Sequence, residues 1–430
     1  MLEIKNLKEN QIFKDSFFLL LRLIISAITN FIFWLIGNRF YSLESIGIAG
    51  FIISIGLFSS TLSIFGVDMS LIHYIRKGLF KSDYIISNLI KKAFSIVLLL
   101  SVVMSVLSSF YYIVFIYSGE KHRNIYIISI VLITFSIVLH ILQESIYLGF
   151  KRSNYIFIRE LILMILKILF IYFLKFLVYG ILLTLILSYL ISFFLMIIFD
   201  IKKILKLLNS IEKSESHNIN ICEFFKYSFV NYLSILIARM PGFIYTILII
   251  KYIGMAENGV FTTIWSLSNL VFLSVGSISN AIYSKLSERD SLNKTNIYKI
   301  IVILEIAFII GISILLPLSK HILVLYSTEV EEKGLRPFRI LLLSALPYLI
   351  NRISGSIYRS FNYRKLLLVN ESLISFVSIM CSWTMLQILN NLEIISLSWF
   401  LAHIITMMMN ISFLYKKLKK PEYIIKNNLE

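Results

Sequence analysis

The stretch Ser145-Ile146-Tyr147-Leu148-Gly149-Phe150 returns 211 residues later as Ser356-Ile357-Tyr358-Arg359-Ser360-Phe361, with four of the six positions identical. Glu160 returns as Glu371 at the same offset. Two further matches, at offsets of 212 and 209, are Phe13-Lys14-x-Ser16-Phe17 with Phe225-Lys226-x-Ser228-Phe229, and Tyr117-Ser118-Gly119-Glu120 with Tyr326-Ser327-Thr328-Glu329. Because these matches keep one order and nearly one spacing, the sequence predicts two copies of one structural unit.

The composition places this repeated unit in a membrane. Hydrophobic residues make up 58% of the chain and charged residues only 15%, whereas a soluble domain carries about 25% charged residues. Apolar runs of the length that spans a bilayer, about 20 residues, recur throughout. They lack the alternating polarity of barrel strands. The sequence therefore predicts an all-α polytopic membrane protein with about 12 transmembrane helices in two six-helix repeats.

The predicted spans divide the chain into two lobes. The N-terminal lobe is residues 1–206, the cytoplasmic linker 207–223 and the C-terminal lobe 224–430. The spans are 16–37, 44–72, 93–117, 124–148, 156–176 and 178–199 in the first lobe, and 224–250, 256–283, 300–326, 338–359, 366–389 and 394–415 in the second.

The loop charges predict the orientation. If the N-terminus is cytoplasmic, 28 of the 41 Lys and Arg residues lie on the cytoplasmic side and 9 on the other, an excess that favours this orientation for both termini. Six helices per repeat then make the repeats parallel. The net charge of +17 is explained by these loops and by anionic lipid, without nucleic acid as a partner. The cysteines, Cys222 and Cys381, form no zinc or disulfide motif, and we expect no metal or cofactor.

Four cations fall inside predicted spans: Arg22, Lys167, Arg239 and Arg352. A charge at the bilayer centre costs on the order of 3 kcal/mol, so each needs a physical reason to be there. One hypothesis is a cationic cavity that binds substrate. The alternative for Arg22, Lys167 and Arg352 is that their long side chains reach the membrane surface.

Arg239 lies deepest, about 20 Å along its predicted helix. It is followed by Met240-Pro241-Gly242. Proline removes a helix hydrogen bond and glycine adds freedom, so Pro241 and Gly242 are predicted to form a hinge. The alternative is that Arg239 pairs with an acid such as Glu305 for structure alone.

Polar side chains at helical spacing accompany these cations. On one hypothesis they line the same cavity, and on the other they are seams where small residues let helices pack closely. The candidate cavity-lining residues are Ser26, Asn30, Asn231, Ser266 and Asn269.

Few acids lie within the spans. Glu305 and Glu144 are candidates for ion coupling or for a counter-charge. Glu160 and Glu371 are interpreted as N-terminal helix caps. His403 is interpreted as a hydrogen-bonded packing residue, and it is the candidate to test if the protein is an enzyme.

Short motifs in a fixed order resemble a known family. They are Ser16-Phe17, Leu43-Glu44-Ser45-Ile46-Gly47, Leu148-Gly149-Phe150-Lys151-Arg152, Met255-Ala256-Glu257-Asn258-Gly259, Leu325-Tyr326-Ser327-Thr328-Glu329 and Phe338-Arg339-Ile340-Leu341. With the twelve-helix repeat, they resemble the polysaccharide-transporter branch of the multidrug/oligosaccharidyl-lipid/polysaccharide (MOP) exporter superfamily, in particular the O-antigen and capsule repeat-unit flippases.

This resemblance implies a V-shaped two-lobe bundle that works by alternating access in the bacterial cytoplasmic membrane. The implied substrate is an oligosaccharide on polyprenyl pyrophosphate, moved to the periplasmic leaflet. The implied partners are membrane lipids and the polysaccharide polymerase machinery. Cavity cations of the first and seventh helices serve the anionic headgroup in such flippases, and Arg22 and Arg239 lie on those helices.

Two other functions stay open. A multidrug exporter of the same superfamily would favour an acidic cavity, which four span cations and few acids argue against. A membrane-embedded polysaccharide polymerase or acyltransferase would need a long external loop or a catalytic histidine. The internal repeat fits an enzyme poorly, so we expect a non-enzymatic protein.

Overall fold

The computed structural model describes residues 2–78, 83–115, 123–209, 221–287, 294–361 and 363–418. Within these ranges the chain is helical, and no strand is found. The helices are α1 (Leu2–Phe40), α2 (Leu43–Ile64), α3 (Val67–Gly78), α4 (Asp83–Phe115), α5 (Arg123–Gly149), α6 (Ser153–Phe173), α7 (Gly180–Asn209), α8 (Ile221–Tyr252), α9 (Met255–Ser287), α10 (Lys294–Tyr326), α11 (Thr328–Ser360), α12 (Arg364–Leu386) and α13 (Glu393–Leu418).

Eleven helices of the described ranges are long and apolar enough to cross a membrane. The helix α6 has the length but carries Arg159, Glu160 and Lys167, which set it apart from the others. Large apolar side chains such as Leu99, Ile303 and Phe376 are exposed. Such a surface is unfavourable in water and suits contact with lipid. The prediction of an all-α polytopic membrane protein is confirmed, while the orientation of its termini stays a prediction.

Several helices are longer than their predicted spans, and two of the differences have a cause that the backbone shows. The predicted span 44–72 is two helices, because Phe65 (φ 47°) and Gly66 (φ 78°) adopt left-handed backbone conformations that end α2 before α3 begins. The predicted span 338–359 begins ten residues earlier, at Thr328, because the Ser327 hydroxyl accepts a hydrogen bond from the Val330 amide and caps α11. A serine cap of this kind satisfies an amide that the helix leaves unpaired.

The chain divides into two compact units, Met1–Leu236 and Ile237–Glu430, called here the N-terminal and C-terminal units. The division falls inside α8, and the predicted lobes 1–206 and 224–430 with their linker stay a prediction. One hydrophobic cluster of the N-terminal unit joins α2, α3, α4 and α5 through Ile64, Leu71, Val97 and Leu142. The corresponding cluster of the C-terminal unit includes Val275 of α9 and Leu349 and Ile353 of α11.

The turn between α6 and α7 is closely packed at Gly180. The hydroxyl of Tyr41 donates a hydrogen bond to the Leu174 carbonyl at 2.9 Å, and burial raises the pKa of Tyr41 to about 12, so this hydroxyl keeps its proton. A methyl group on Gly180 would overlap both the Leu174 carbonyl and the Tyr41 hydroxyl. This packing explains why α7 begins with glycine. The predicted separation of the spans 156–176 and 178–199 is confirmed, with α6 ending at Phe173 and α7 beginning at Gly180.

The repeated tyrosines occupy equivalent places in the two units. Tyr147 of α5 lies beside Asp200 of α7, and Tyr358 of α11 donates to Oδ1 of Asn410 in α13 at 2.8 Å. Both tyrosines are buried. The helices α5 and α11 therefore correspond, as do α7 and α13, which is the relation that the sequence repeat predicts.

Candidate functional site: the charged groups of each unit

The N-terminal unit contains a cluster of four charged groups from three helices. Nη1 and Nη2 of Arg22, on α1, donate to Oε1 and Oε2 of Glu144, on α5, at 2.6 and 2.9 Å. Nη2 of Arg159, on α6, donates to the same Oε2 at 3.0 Å. The Arg22 Nε also lies 3.8 Å from Glu160. Two cations and two carboxylates therefore neutralise one another.

This cluster is enclosed by protein. Arg159 is fully buried, and its Nη1 donates to the His140 carbonyl at 2.8 Å. The Glu144 side chain is 18% exposed and that of Arg22 is 25% exposed. Charges this far from water are stable only when they are paired and hydrogen-bonded. Arg22 is thus held inside the unit by Glu144, and Glu144 is a counter-charge.

Lys167 lies in the same unit but outside this cluster. Its side chain is buried, and its Nζ lies 5.0 Å from the centre of the Tyr189 ring, a cation–π contact that partly offsets the loss of water. Tyr189 also contacts the edge of His140. The alternative in which Lys167 reaches the membrane surface is therefore wrong.

The C-terminal unit holds a polar cavity of about 40 Å³. Its lining comes from α9, α11 and α12: Gly276, Ser279, Asn280, Arg352, Gly355, Arg359 and Glu371. Arg352 Nη1 lies 3.6 Å from Glu371. That is beyond hydrogen-bonding distance, so the ion pair is loose. The cavity carries two guanidinium groups and one carboxylate.

Two serines position α9 against α11 beside this cavity. The Ser279 hydroxyl donates to the Arg352 carbonyl at 2.7 Å and lies 2.6 Å from the hydroxyl of Ser356. The Ser356 hydroxyl donates in turn to the Ser279 carbonyl at 2.8 Å. Small hydroxyl residues of this kind let membrane helices approach closely and hydrogen-bond across the contact. The Arg352 guanidinium lies 5.4 Å from the centre of the Tyr348 ring.

The repeat relates the charged cluster to the cavity. At the offset of 211 residues that joins Ser145 to Ser356, Glu144 corresponds to Gly355 and Arg159 to Asn370. Glu160 corresponds to Glu371, which is also placed against an arginine. The N-terminal unit thus has a carboxylate where the C-terminal unit has a glycine and a cavity.

Buried amides replace charges deeper in the C-terminal unit. Nδ2 of Asn410 donates to Oδ1 of Asn351 at 2.8 Å and to Oδ1 of Asn370 at 2.7 Å. Nδ2 of Asn351 donates to the His403 carbonyl at 2.9 Å and lies 3.1 Å from its Nδ1. His403 is therefore a hydrogen-bonded residue between helices. This agrees with the packing interpretation.

Arg239 is exposed on α8, in the part of the helix that is apolar enough to span a membrane. Two residues later, Pro241 cannot donate the helix hydrogen bond that the Ile237 carbonyl would receive. The Ser375 hydroxyl of α12 donates to that carbonyl instead, at 2.7 Å. The Ile237 carbonyl, which the proline leaves without its helix partner, therefore forms a hydrogen bond that joins α8 to α12. The role of Pro241 and Gly242 as a hinge stays a prediction.

The remaining predicted site residues are Glu305 and the five polar residues expected to line a cavity. Glu305 of α10 has no cation within 4.0 Å and one buried oxygen without a hydrogen bond, among the residues the structure describes. Ser26, Asn30, Ser266 and Asn269 are half-buried, and the side chain of Asn231 lies outside the described part. Their role in lining a cavity stays a prediction.

Sequence reasoning missed Arg159 and Arg359 and misjudged two acids. Arg159 and Arg359 were counted with the cytoplasmic loop charges at the ends of the predicted spans 156–176 and 338–359, whereas the structure places them within α6 and α11. Glu160 and Glu371 were interpreted as helix caps, but each is the eighth residue of its helix, too far from the N-terminus for a cap. The signal that was available is the alignment of Glu144 with Gly355, which marks a change of charge between the repeats.

Solved transporter structures share this fold. An inward-facing multidrug resistance MATE family transporter of the MOP superfamily matches with a TM-score of 0.74 and 13% identity, over 93% of this chain and 98% of that one. An outward-facing conformation matches with a TM-score of 0.65 and 14% identity, over 95% of each chain. MATE in complex with MaL6 matches with a TM-score of 0.62 and 13% identity, over 93% and 96%.

Sequence comparisons add no closer relative. No protein-family model matches the chain, and no curated protein matches it significantly. At this level of identity the structural likeness shows the fold alone, which is that of the MATE transporters of the MOP superfamily. The chain is a multi-pass membrane protein with this fold.

Proposed function

We propose that this protein is a flippase of the bacterial cytoplasmic membrane that moves polyprenyl-pyrophosphate-linked oligosaccharides to the periplasmic leaflet by alternating access. The fold supports a transporter, since neighbours with the same fold include an inward-facing and an outward-facing structure. A transporter of this kind is not an enzyme and needs no cofactor.

The observation that carries the proposal is the exposure of Arg239. Thirteen residues separate it from the end of α8 at Tyr252, about 20 Å of helix. An exposed guanidinium at such a depth is costly against acyl chains, and intramembrane charges usually face a water-filled path. Because arginine keeps its charge and binds phosphate oxygens with two parallel hydrogen bonds, a pyrophosphate headgroup is a fitting ligand for that path.

The acids do not compete for this role. Glu144 is already paired with Arg22 and Arg159, so among the candidates for ion coupling we favour Glu305. We place Arg22 in a structural cluster and Arg239 and Arg352 in the substrate path. Lys167 is the weakest candidate for substrate binding, because it is buried against Tyr189.

The test is to delete the gene in its host and restore it as wild type, Arg239→Lys, Arg239→Ala or Arg336→Ala. Arg336 is a highly exposed arginine 3.6 Å from Glu393, which makes it a matched control. We expect deletion and Arg239→Ala to accumulate lipid-linked oligosaccharide on the cytoplasmic face and to lose surface polysaccharide. Arg239→Lys should retain part of the export, and Arg336→Ala should export normally. Unchanged pools in the deletion strain would refute the proposal.

Multidrug export is the second candidate, because the transporter with the TM-score of 0.74 is a multidrug resistance protein. The clustered arginines of this chain disfavour cationic drugs. If expression in a drug-sensitive host raises the inhibitory concentration of organic cations, and Arg239→Ala leaves that gain intact, multidrug export is the better account.

A further inference from the structure

We propose that the cavity lined by Arg352 and Arg359 is a phosphate-binding site, completed by a phosphoryl group of a lipid-linked ligand. The inference rests on the proposed function for its substrate class. The inference goes beyond the proposed function because it assigns a headgroup contact to a cavity inside the C-terminal unit, between α9, α11 and α12.

The charge of the cavity is the first argument. Arg352 and Arg359 line it together, and Glu371 is the single acid in its lining. Arg352 lies 3.6 Å from Glu371 and shares one hydrogen bond with the Tyr348 hydroxyl, which leaves most of its five N–H donors unused. For the Arg359 side chain, the described residues supply neither an ion pair nor a hydrogen bond. Guanidinium groups with unused donors and a net positive charge match a phosphate, which offers several acceptor oxygens.

The shape of the cavity is the second argument. A buried water needs a cavity volume of about 10–15 Å³. This cavity of about 40 Å³ therefore has room for roughly three waters or one small oxyanion. The remaining polar groups around it, Ser279 and Asn280, provide hydroxyl and amide partners. Gly276 and Gly355 leave room for backbone to approach the ligand.

The repeat supplies the third argument. In the N-terminal unit Glu144 binds Arg22 and Arg159 directly, so that unit is complete without a ligand. In the C-terminal unit the corresponding position is Gly355, and the two arginines lie three residues before it and four residues after it on the same helix. Residues at these spacings share one helix face. The anion that the N-terminal unit carries in its own chain is therefore expected to come from a ligand here.

This reasoning defines a direct test, Gly355→Glu. A side chain at Gly355 has space, since a methyl group there would lie 3.7 Å from the nearest atom, on Leu367. The glutamate supplies an internal carboxylate between the two arginines and should displace an external phosphate. Gly355→Ala adds only a methyl group and serves as the matched control.

Binding is measured on the purified full-length protein in detergent with three probes: inorganic pyrophosphate, farnesyl pyrophosphate and phosphatidylglycerol. We expect Gly355→Glu and Arg359→Gln each to weaken binding by about tenfold or more, the effect of losing one hydrogen-bonded charge pair. Gly355→Ala should stay within about threefold of wild type, because it keeps both arginines. Stronger binding of farnesyl pyrophosphate identifies the transported lipid as the source of the phosphate, and stronger binding of phosphatidylglycerol identifies a resident lipid.

The inference is overturned if wild type binds none of the three probes, or if Gly355→Glu binds them as tightly as Gly355→Ala. Thermal unfolding without added phosphate separates a misfolded variant from a blocked site. We expect Gly355→Glu to unfold at a higher temperature than Gly355→Ala, since the new carboxylate neutralises the arginines. A lower unfolding temperature for Gly355→Glu would contradict the expectation that its carboxylate neutralises Arg352 and Arg359. Because binding needs no export, the site can stand even if the deletion strain keeps normal lipid-linked oligosaccharide.

Discussion

Each unit of this protein holds two arginines close together, and the two units differ in how those arginines are neutralised. In the N-terminal unit, Glu144 neutralises Arg22 and the fully buried Arg159. In the C-terminal unit the equivalent position is Gly355, and Arg352 and Arg359 face a cavity with one acid, Glu371. One copy of the duplicated fold is closed by its own carboxylate, and we propose that the other is open for a ligand.

The largest expected loss of stability comes from removing the charge of Glu144 in the N-terminal unit. Glu144→Gln leaves two arginines without their main counter-charge, and breaking a buried ion pair from one side costs about 3–5 kcal/mol. We expect low yield and a much lower unfolding temperature in detergent. The matched change in the C-terminal unit, Glu371→Gln, removes a 3.6 Å contact to an arginine that is 34% exposed. Glu371 itself is buried, but its single contact is longer than a hydrogen bond, so this change should cost less than Glu144→Gln. Equal shifts in the two variants would contradict the asymmetry.

The next effect compares two glycines. Gly180→Ala drives a methyl group into the Leu174 carbonyl and the Tyr41 hydroxyl, and such overpacking costs about 1–3 kcal/mol. Gly355→Ala meets only an ordinary contact at 3.7 Å. Unfolding temperatures in detergent should fall for Gly180→Ala and change little for Gly355→Ala. If both variants unfold at the wild-type temperature, Gly180 is not as closely packed as described.

The smallest effect concerns two equivalent carbonyls. Ile25 and Ile237 correspond at an offset of 212 residues. The Ile25 carbonyl accepts from the Thr29 hydroxyl on its own helix, whereas the Ile237 carbonyl accepts from Ser375 of α12. Pro241, at the position of Thr29, is the cause. Ser375→Ala should cost about 1 kcal/mol, the typical value of one hydrogen bond.

A double-mutant cycle isolates the proline's part in this contact. Pro241→Ala restores an amide that can donate to the Ile237 carbonyl, so Ser375→Ala should have almost no effect in that background. The quantity to measure is the interaction energy between the two changes. An interaction energy of zero would mean that the serine contact does not depend on the proline.

The sequence predicted the repeat, the membrane class and most helices, because apolar runs and recurring motifs are features of the chain itself. The missed charges share one physical cause. Arg159 and Arg359 were counted with the cytoplasmic loop charges because they lie within one turn of the ends of the predicted spans 156–176 and 338–359. Position in the sequence does not reveal that Arg159 is fully buried while Arg359 is exposed beside a cavity. The break at Phe65-Gly66 depends on left-handed backbone conformations that hydropathy does not encode.

The pairing of side chains between helices was beyond reach for a different reason. Nothing in the sequence alone indicates that Arg22 of α1 reaches Glu144 of α5, since 122 residues separate them. The comparison of Glu144 with Gly355 needed only the repeat offset. Such differences between internal copies are therefore a usable signal for sites in duplicated membrane proteins.

The measurement that tests the central claim most directly is transbilayer movement in proteoliposomes. Purified wild-type protein and Arg239→Ala are reconstituted with a labelled polyprenyl-pyrophosphate oligosaccharide, and the fraction accessible from outside is followed with time. We predict that wild-type vesicles expose the labelled lipid faster than empty vesicles and that Arg239→Ala vesicles do not. If wild-type vesicles match empty ones under proton and sodium gradients of either direction, this protein is not a flippase for that lipid.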